Sequence, residues 1–384
     1  MVSTALSSTP SDQAAQDSIQ RLPVEFTGSG SEYFRIWIVN MVLLVITLGL
    51  YWPWAKVRRL RYFWGNTLVD GDPLGFHGEA GQMFKGWVLV GVLFIVYNVA
   101  ESVSPVAGAV AFAALGSLWP ALWRSSMVFR LGNTSWRGLR FRFVGPMKGA
   151  YLALLPLFLA ALLPVFLLAW LPEEPDEPFQ AWMGWTFGGF VILLVGVLPW
   201  VLWRMKAYQH RHYALGPLQT DFRAGLGAFY GLALKPMVLV LVVAGLVGLM
   251  AGWRSGDFLP MALGGFLAFF PFVLLLLVLA VVPWWKARLQ NLVWTKTGNA
   301  QIRFISRLSF RSMLWLTIKN WVLVAITLGL YWPFAAVAMA RLRLEAIHVR
   351  SVVDLENLLA LDQQRPEEAA GEAAGDFFGL DVGI

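Results

Sequence analysis

Apolar positions in this chain come in long, nearly unbroken runs separated by short polar stretches, the pattern expected of helices surrounded by lipid. Between roughly residues 84 and 285 the runs form three pairs, near 84–102, 105–122, 149–171, 181–203, 236–252 and 259–285. Each approaches or exceeds the ~20 residues that an α-helix needs to cross a bilayer, which predicts six spans. Two further apolar runs, within 34–55 and 312–335, flank them. The expected fold class is all-α, a polytopic transmembrane helical bundle of six spans plus these two segments, with internal repeats.

The repeats are explicit. Asn40–Ala55 reads N-M-V-L-L-V-I-T-L-G-L-Y-W-P-W-A and Asn320–Ala335 reads N-W-V-L-V-A-I-T-L-G-L-Y-W-P-F-A, identical at twelve of sixteen positions without a gap. A shift of 67 residues carries Trp52, Pro53, Gly65, Asn66, Thr67, Gly71, Phe76 and Gly78 onto Trp119, Pro120, Gly132, Asn133, Thr134, Gly138, Phe143 and Gly145. A shift of 50 carries Phe26, Gly28, Phe34 and Trp37 onto Phe76, Gly78, Phe84 and Trp87. The segment 34–53 therefore begins like one span and ends like the next, although only 19 residues separate Phe34 from Pro53. It reads as a shortened re-entrant hairpin bending near Thr47-Leu48-Gly49, with a single crossing as the alternative; 312–335 shares both readings.

Charge orients the bundle. The segments 56–85, 124–148, 204–235 and 286–311 hold twenty-two Lys and Arg, whereas the three intervening hairpin tips hold Arg254 alone. Positive residues stay on the cytoplasmic side, so the basic segments are expected to face the cytoplasm and the tips to face out. Many of the 20 Trp stand at the ends of apolar runs, where indoles settle at the lipid–water boundary. The net charge of +7 is accounted for by topology and by anionic lipid headgroups, with no nucleic-acid partner implied. The absence of Cys excludes disulfides, thiolate metal sites and cysteine nucleophiles.

Residues 1–23 are read as a disordered cytoplasmic tail without a cleavable signal, 24–350 as the membrane domain, and 351–384 as an acidic, mostly disordered tail. That tail ends in an apolar patch, Phe377, Phe378, Leu380 and Ile384, read either as an unstructured end or as a docking peptide for a protein partner.

With F-x-G-x-G-x-E-Y-F at Phe26–Phe34, the two I-T-L-G-L-Y-W-P copies and N-T-L-V-D-G at Asn66–Gly71, the chain resembles the YjgN family, bacterial inner-membrane proteins defined by a domain of unknown function. The resemblance covers roughly residues 24 to 350 and implies an inner-membrane location. It brings no mechanism with it.

No catalytic constellation is visible, so the chain is not expected to be an enzyme, and neither a cofactor nor a metal is expected. His210-Arg211-His212 reads as part of a basic flank, and Asp70, Asp72, His77 and Glu79 as a solvated turn. Asn40 and Asn320, at matching places in apolar runs beside Trp52-Pro53 and Trp332-Pro333, are candidates for interhelical hydrogen bonds or ligand contact. Asn66, Thr67, Asn133, Thr134, Arg137 and Arg140 are candidates for loops facing lipid headgroups. The spans lack ionisable interiors, which argues against ion-coupled carriers. The functional expectation is transporter- or channel-like handling of a neutral or lipid-like solute. The alternative is a scaffold that recruits a partner through its cytoplasmic loops and C-terminal tail.

Overall fold

The computed structural model describes residues 20–169, 177–253, 275 and 277–352. Helical hairpins alternate with β-hairpins between a first strand, β1 (Gln20–Phe26), and a last, β11 (Ile347–Ser351). Helices α1 (Gly30–Ile46) and α2 (Trp52–Gly65) lead to β2 (Thr67–Val69) and β3 (Asp72–Phe76). Next, α3 (Ala80–Val103) and α4 (Pro105–Gly132) lead to β4 (Thr134–Trp136) and β5 (Leu139–Phe143). The third hairpin, α5 (Met147–Ala169) and α6 (Glu177–Arg211), precedes β6 (Tyr213–Leu215), β7 (Leu218–Gln219) and β8 (Asp221–Phe222). Then α7 (Leu226–Trp253) and α8 (Val282–Thr295), the latter entered through a π-helical turn (Leu277–Val281), precede β9 (Thr297–Gly298) and β10 (Ile302–Ser306). The series ends with α9 (Phe310–Ile326) and α10 (Trp332–Leu344).

One backbone hydrogen bond recurs at the base of all five described helical hairpins. The residue after each incoming strand donates to the carbonyl that ends the returning helix: Thr27 to Asn66 (3.0 Å), His77 to Asn133 (2.8 Å), Val144 to His212 (3.0 Å), Arg223 to Lys296 (2.9 Å) and Arg307 to Ala346 (2.9 Å). The molecule is thus a five-fold repeat. The repeated Phe-x-Gly explains itself here: a Cβ at Gly28, Gly78 or Gly145 would stand 2.7, 2.6 or 2.5 Å from the ring of Phe26, Phe76 or Phe143.

The strands form one antiparallel sheet in the order β7-β6-β5-β4-β3-β2-β1-β11-β10-β9-β8. Its two ends are consecutive in the chain, with Thr220 alone between them. They act as one kinked strand, paired with β6 on one side and β9 on the other, and so close the sheet into a barrel. Thr220 fixes the kink, its N–H donating to Tyr213 O (2.8 Å) and its hydroxyl to His210 O (2.7 Å). Alternation in Leu139-Arg-Phe-Arg-Phe143 sends the apolar side chains inward. Leu22, Val24, Trp136, Leu139, Leu218 and Val349 meet in one cluster, joined by side chains from β2, β3, β6 and β10. The barrel lumen is filled, as in other small barrels.

Each helix packs on its chain neighbours, and α10 packs on α1 to close a ring. The first and last hairpins are short. The chain reverses within Thr47–Tyr51 and Thr327–Tyr331, with Leu48-Gly49 and Leu328-Gly329 all at positive φ. Thr47 and Thr327 brace these turns, each hydroxyl donating to the carbonyl four residues back (2.7 Å) and accepting from the Tyr51 or Tyr331 N–H (3.0 Å).

The expectation of an all-α bundle with six spans is overturned. An eleven-stranded sheet is present, and nine of its strands, β2 to β10, occupy the segments read as basic loops. Among the described residues two helices, α3 and α4, are long and apolar enough to cross a bilayer. Most of 259–285 lies outside the described residues. The strands escaped a hydropathy reading because most run only two to five residues, too short for alternation to stand out beside apolar runs. β1 begins at Gln20, inside the stretch read as the N-terminal tail.

Candidate functional site

The residues singled out in the sequence fall mostly to structural work. Asn40 and Asn320 are buried, each within its own short hairpin. The Asn320 amide donates to Ala335 O (3.4 Å), tying α9 to α10, while the side-chain oxygens of both asparagines have no hydrogen-bond partner among the described residues. Pro53 and Pro333 are fully buried at the starts of α2 and α10, whereas Trp52 and Trp332 are exposed. The Trp-Pro pair therefore divides, proline inward and indole outward.

Asn66, Thr67, Asn133 and Thr134 join helix to strand. Their side chains donate to carbonyls four residues back, at Tyr62 (2.8 Å), Phe63 (2.7 Å), Phe129 (2.9 Å) and Arg130 (2.7 Å) respectively. Arg137 bridges two β-hairpins, bonded to Asp70 and Asp72 and lying over the Trp136 ring. Its hydrogen bond to Asp72 raises its pKa above the usual guanidinium value. Arg140, in β5, is exposed on the barrel exterior. His210 is buried beside Tyr213, Phe222 and Trp294. The Thr297 hydroxyl donates to Val293 O, so the neutral His210 ring donates from Nδ1 to Thr297 Oγ1 (2.9 Å). Phe377, Phe378, Leu380 and Ile384 lie outside the described residues.

Several basic residues that the sequence offered only as topology markers turn out to clamp neighbouring hairpins. Arg61 donates to Gly78 O (3.1 Å), Arg124 to Gly145 O (2.6 Å) and Arg341 to Gly28 O (2.9 Å). Trp203 and Asn291 make the equivalent bonds to Ala224 O (2.8 Å) and Leu308 O (2.9 Å).

Among the described residues, a pocket of about 440 Å³ is bounded by four successive helices. Leu157 of α5, Val195 through Met205 of α6, Tyr230 through Met237 of α7 and Trp285 of α8 line it, and the lining is apolar almost throughout. Val195, Pro199, Leu202 and Lys206 follow at helical intervals on one face of α6, which brings Lys206 to the strand-side end of the pocket.

Around Lys206 the chemistry changes. Its ammonium donates to Gln209 Oε1 (2.9 Å), and its pKa is lowered, first by burial and then by Arg130 and Arg343. The Arg343 Nε donates to Gln290 Oε1 (2.8 Å), and Gln290 returns a bond to Arg343 O (2.8 Å). Arg343 keeps accessible surface, yet the protein around it desolvates the guanidinium enough to lower its pKa. Arg130, Lys206 and Arg343 stand on α4, α6 and α10, and the first and last both bear on the charge of Lys206. In the sequence Lys206 stood out only as a topology charge; its spacing from Leu202 and Pro199 was the available signal.

A closed ring of helical hairpins on a packed antiparallel barrel, with an apolar pocket among four of its helices, defines a membrane protein of uncommon mixed architecture. The chain belongs to the family described as bacterial protein of unknown function (DUF898), which it matches over residues 21–377. It is 25% identical over 363 residues to the inner membrane protein YjgN of Salmonella typhimurium strain LT2, covering 89% of this chain and 91% of that one. The inner membrane proteins YjgN of Escherichia coli O157:H7 and of strain K12 are 32% and 31% identical over 138 and 140 residues, 35% of each chain. No solved structure matches. The protein is thus placed in the bacterial inner membrane, in a family whose biochemical role is not established.

Proposed function

We propose that the protein handles a lipid-like solute within the membrane, in the manner of a transporter, and holds that solute in the pocket among α5, α6, α7 and α8. The pocket carries this reading: its ~440 Å³ and apolar walls suit an acyl chain or a similar hydrocarbon body. An aqueous channel along the axis is disfavoured, because Leu22, Trp136, Leu218 and their neighbours fill the barrel. In this reading the chain crosses the bilayer repeatedly, and the barrel and basic segments face the cytoplasm, as the charge distribution favours. Arginines on the barrel exterior, Arg140 among them, then meet anionic headgroups.

The test is to reconstitute the full chain in liposomes and follow bilayer translocation of a fluorescent acyl-chain probe. Filling the pocket by Gly196→Trp or Ala233→Trp is expected to abolish translocation while leaving the purified protein monodisperse. Translocation no faster than in protein-free liposomes, or unchanged in both filled variants, overturns the proposal.

A further inference from the structure

We infer that a row of arginines on the barrel exterior, Arg21, Arg350 and Arg303, is the docking surface for the chain's own acidic C-terminal tail, with Glu367, Glu368 and Glu372 on the guanidinium groups. The inference goes beyond the pocket and does not depend on it. Strand register builds the row. Arg350 of β11 lies directly opposite Arg21 of β1 on one side and Arg303 of β10 on the other. Directly opposed residues share a face of the sheet, and all three arginines are exposed. Neighbouring strands lie about 4.8 Å apart, so the row spans about 10 Å.

Like charges set directly opposite each other destabilise a sheet. Among the described residues none of the three side chains has an ion pair or a hydrogen bond to offset this. An anion laid along the row removes the repulsion and gains charge-assisted hydrogen bonds.

The tail is the anion tethered beside it. The Val352 N–H donates to Gln301 O (2.9 Å), pinning the root of the tail where β11 ends and β10 is about to begin. Residues 353–384 carry eight Asp and Glu against Arg365 alone. The earlier acids stand singly among leucines, whereas Glu367-Glu368 and Glu372 are set among alanine and glycine, whose small side chains let carboxylates reach a flat surface. Fifteen positions separate Val352 from Glu367, a reach of up to about 50 Å. A tethered segment is presented at an effective concentration on the order of millimolar, so a few weak ion pairs suffice to hold it. The tail contains no Ser, Thr or Tyr, so salt and competing polyanions displace it, and hydroxyl phosphorylation does not.

The absence of Cys allows a single spin label to be placed at Gly371→Cys. Electron paramagnetic resonance of the full chain in phosphatidylcholine nanodiscs, which carry no net charge, reads how far the label is immobilised. It is expected to be held at low salt and freed at about 1 M salt, where the Debye length is about 3 Å. Arg350→Gln is expected to lower the ratio of held to free label about threefold, the worth of one exposed ion pair. Arg350→Lys is expected to leave it held. Arg21→Gln, Arg303→Gln and Arg350→Gln together are expected to free it.

A label equally mobile in the wild type and the triple variant, or immobilised in both, overturns the inference. Release of the label when phosphatidylglycerol replaces phosphatidylcholine also overturns it, and assigns the row to lipid headgroups. Should the triple variant fail to fold, the wild-type barrel with Glu367→Lys, Glu368→Lys and Glu372→Lys decides the matter, because that tail must be free.

Discussion

The Arg137 guanidinium lies 3.0 Å from the Asp70 carboxylate, joining the turn of one β-hairpin to the turn of the next. Arg137 adopts φ 49° to do so, in the left-handed region that side chains enter at a cost. A surface arginine is thus held in a glycine-like conformation by its ion pairs.

Replacing Arg137 separates these contributions. Arg137→Ala keeps the backbone strain and loses the bridge, and is expected to destabilise by about 1 kcal/mol, the scale of a partly exposed ion-pair network. Arg137→Gly relieves the strain and is expected to lose less. Thermal unfolding in detergent at low and high salt measures both; an alanine variant that melts with the wild type removes the bridge from the account.

The two short helical hairpins depend on their glycines. Gly49 and Gly329 sit at φ 89° and 93°. Gly49→Val and Gly329→Val are each expected to cost about 1–2 kcal/mol, the penalty of left-handed backbone for a branched residue. Leu48→Gly, at φ 49°, is expected to stabilise slightly. Melting temperatures of the three variants, compared side by side, check the signs.

Trp136 packs into the barrel lumen and donates from its indole to Val69 O (3.1 Å). Its truncation to alanine is expected to cost about 3–5 kcal/mol, as for other buried aromatics. Trp185, 84% exposed on α6, serves as the control and is expected to be nearly silent. Equal losses for the two would mean that the lumen is not the packed core it resembles.

His210 predicts an acid limit. Burial, followed by the charge of Lys206, lowers its pKa from 6.5 to about 3. Between these values the unfolded chain binds the proton and the folded chain does not, so stability falls as pH drops below about 6.5 and continues to fall toward 3. The melting temperature of His210→Gln is expected to decline less steeply than that of the wild type from pH 7.5 to 5. Parallel slopes would assign the acid sensitivity to other groups.

The repeat was legible in the sequence because identical residues, Phe-x-Gly at three hairpin bases and Asn-Thr at two, meet identical local demands. The barrel was not, because a three-residue strand such as Thr67–Val69 owes its conformation to partners distant in the chain. The alternation at Leu139–Phe143 was a readable exception. Candidate residues were found where a polar side chain stood out against lipid, as at Asn40. Lys206 and Arg343 were hidden among many cations, and the glutamines bonded to them, Gln209 and Gln290, set them apart from their neighbours.

Strand β1 is paired with β11 from Gln20 opposite Ser351 onward, so one edge of the earliest described strand awaits the last described one. Until residue 351 leaves the ribosome, the nascent molecule can be no more than an open arc with an unmated edge. Biogenesis must therefore keep that edge from mating elsewhere while the later hairpins enter the membrane, and the final strand acts as the latch.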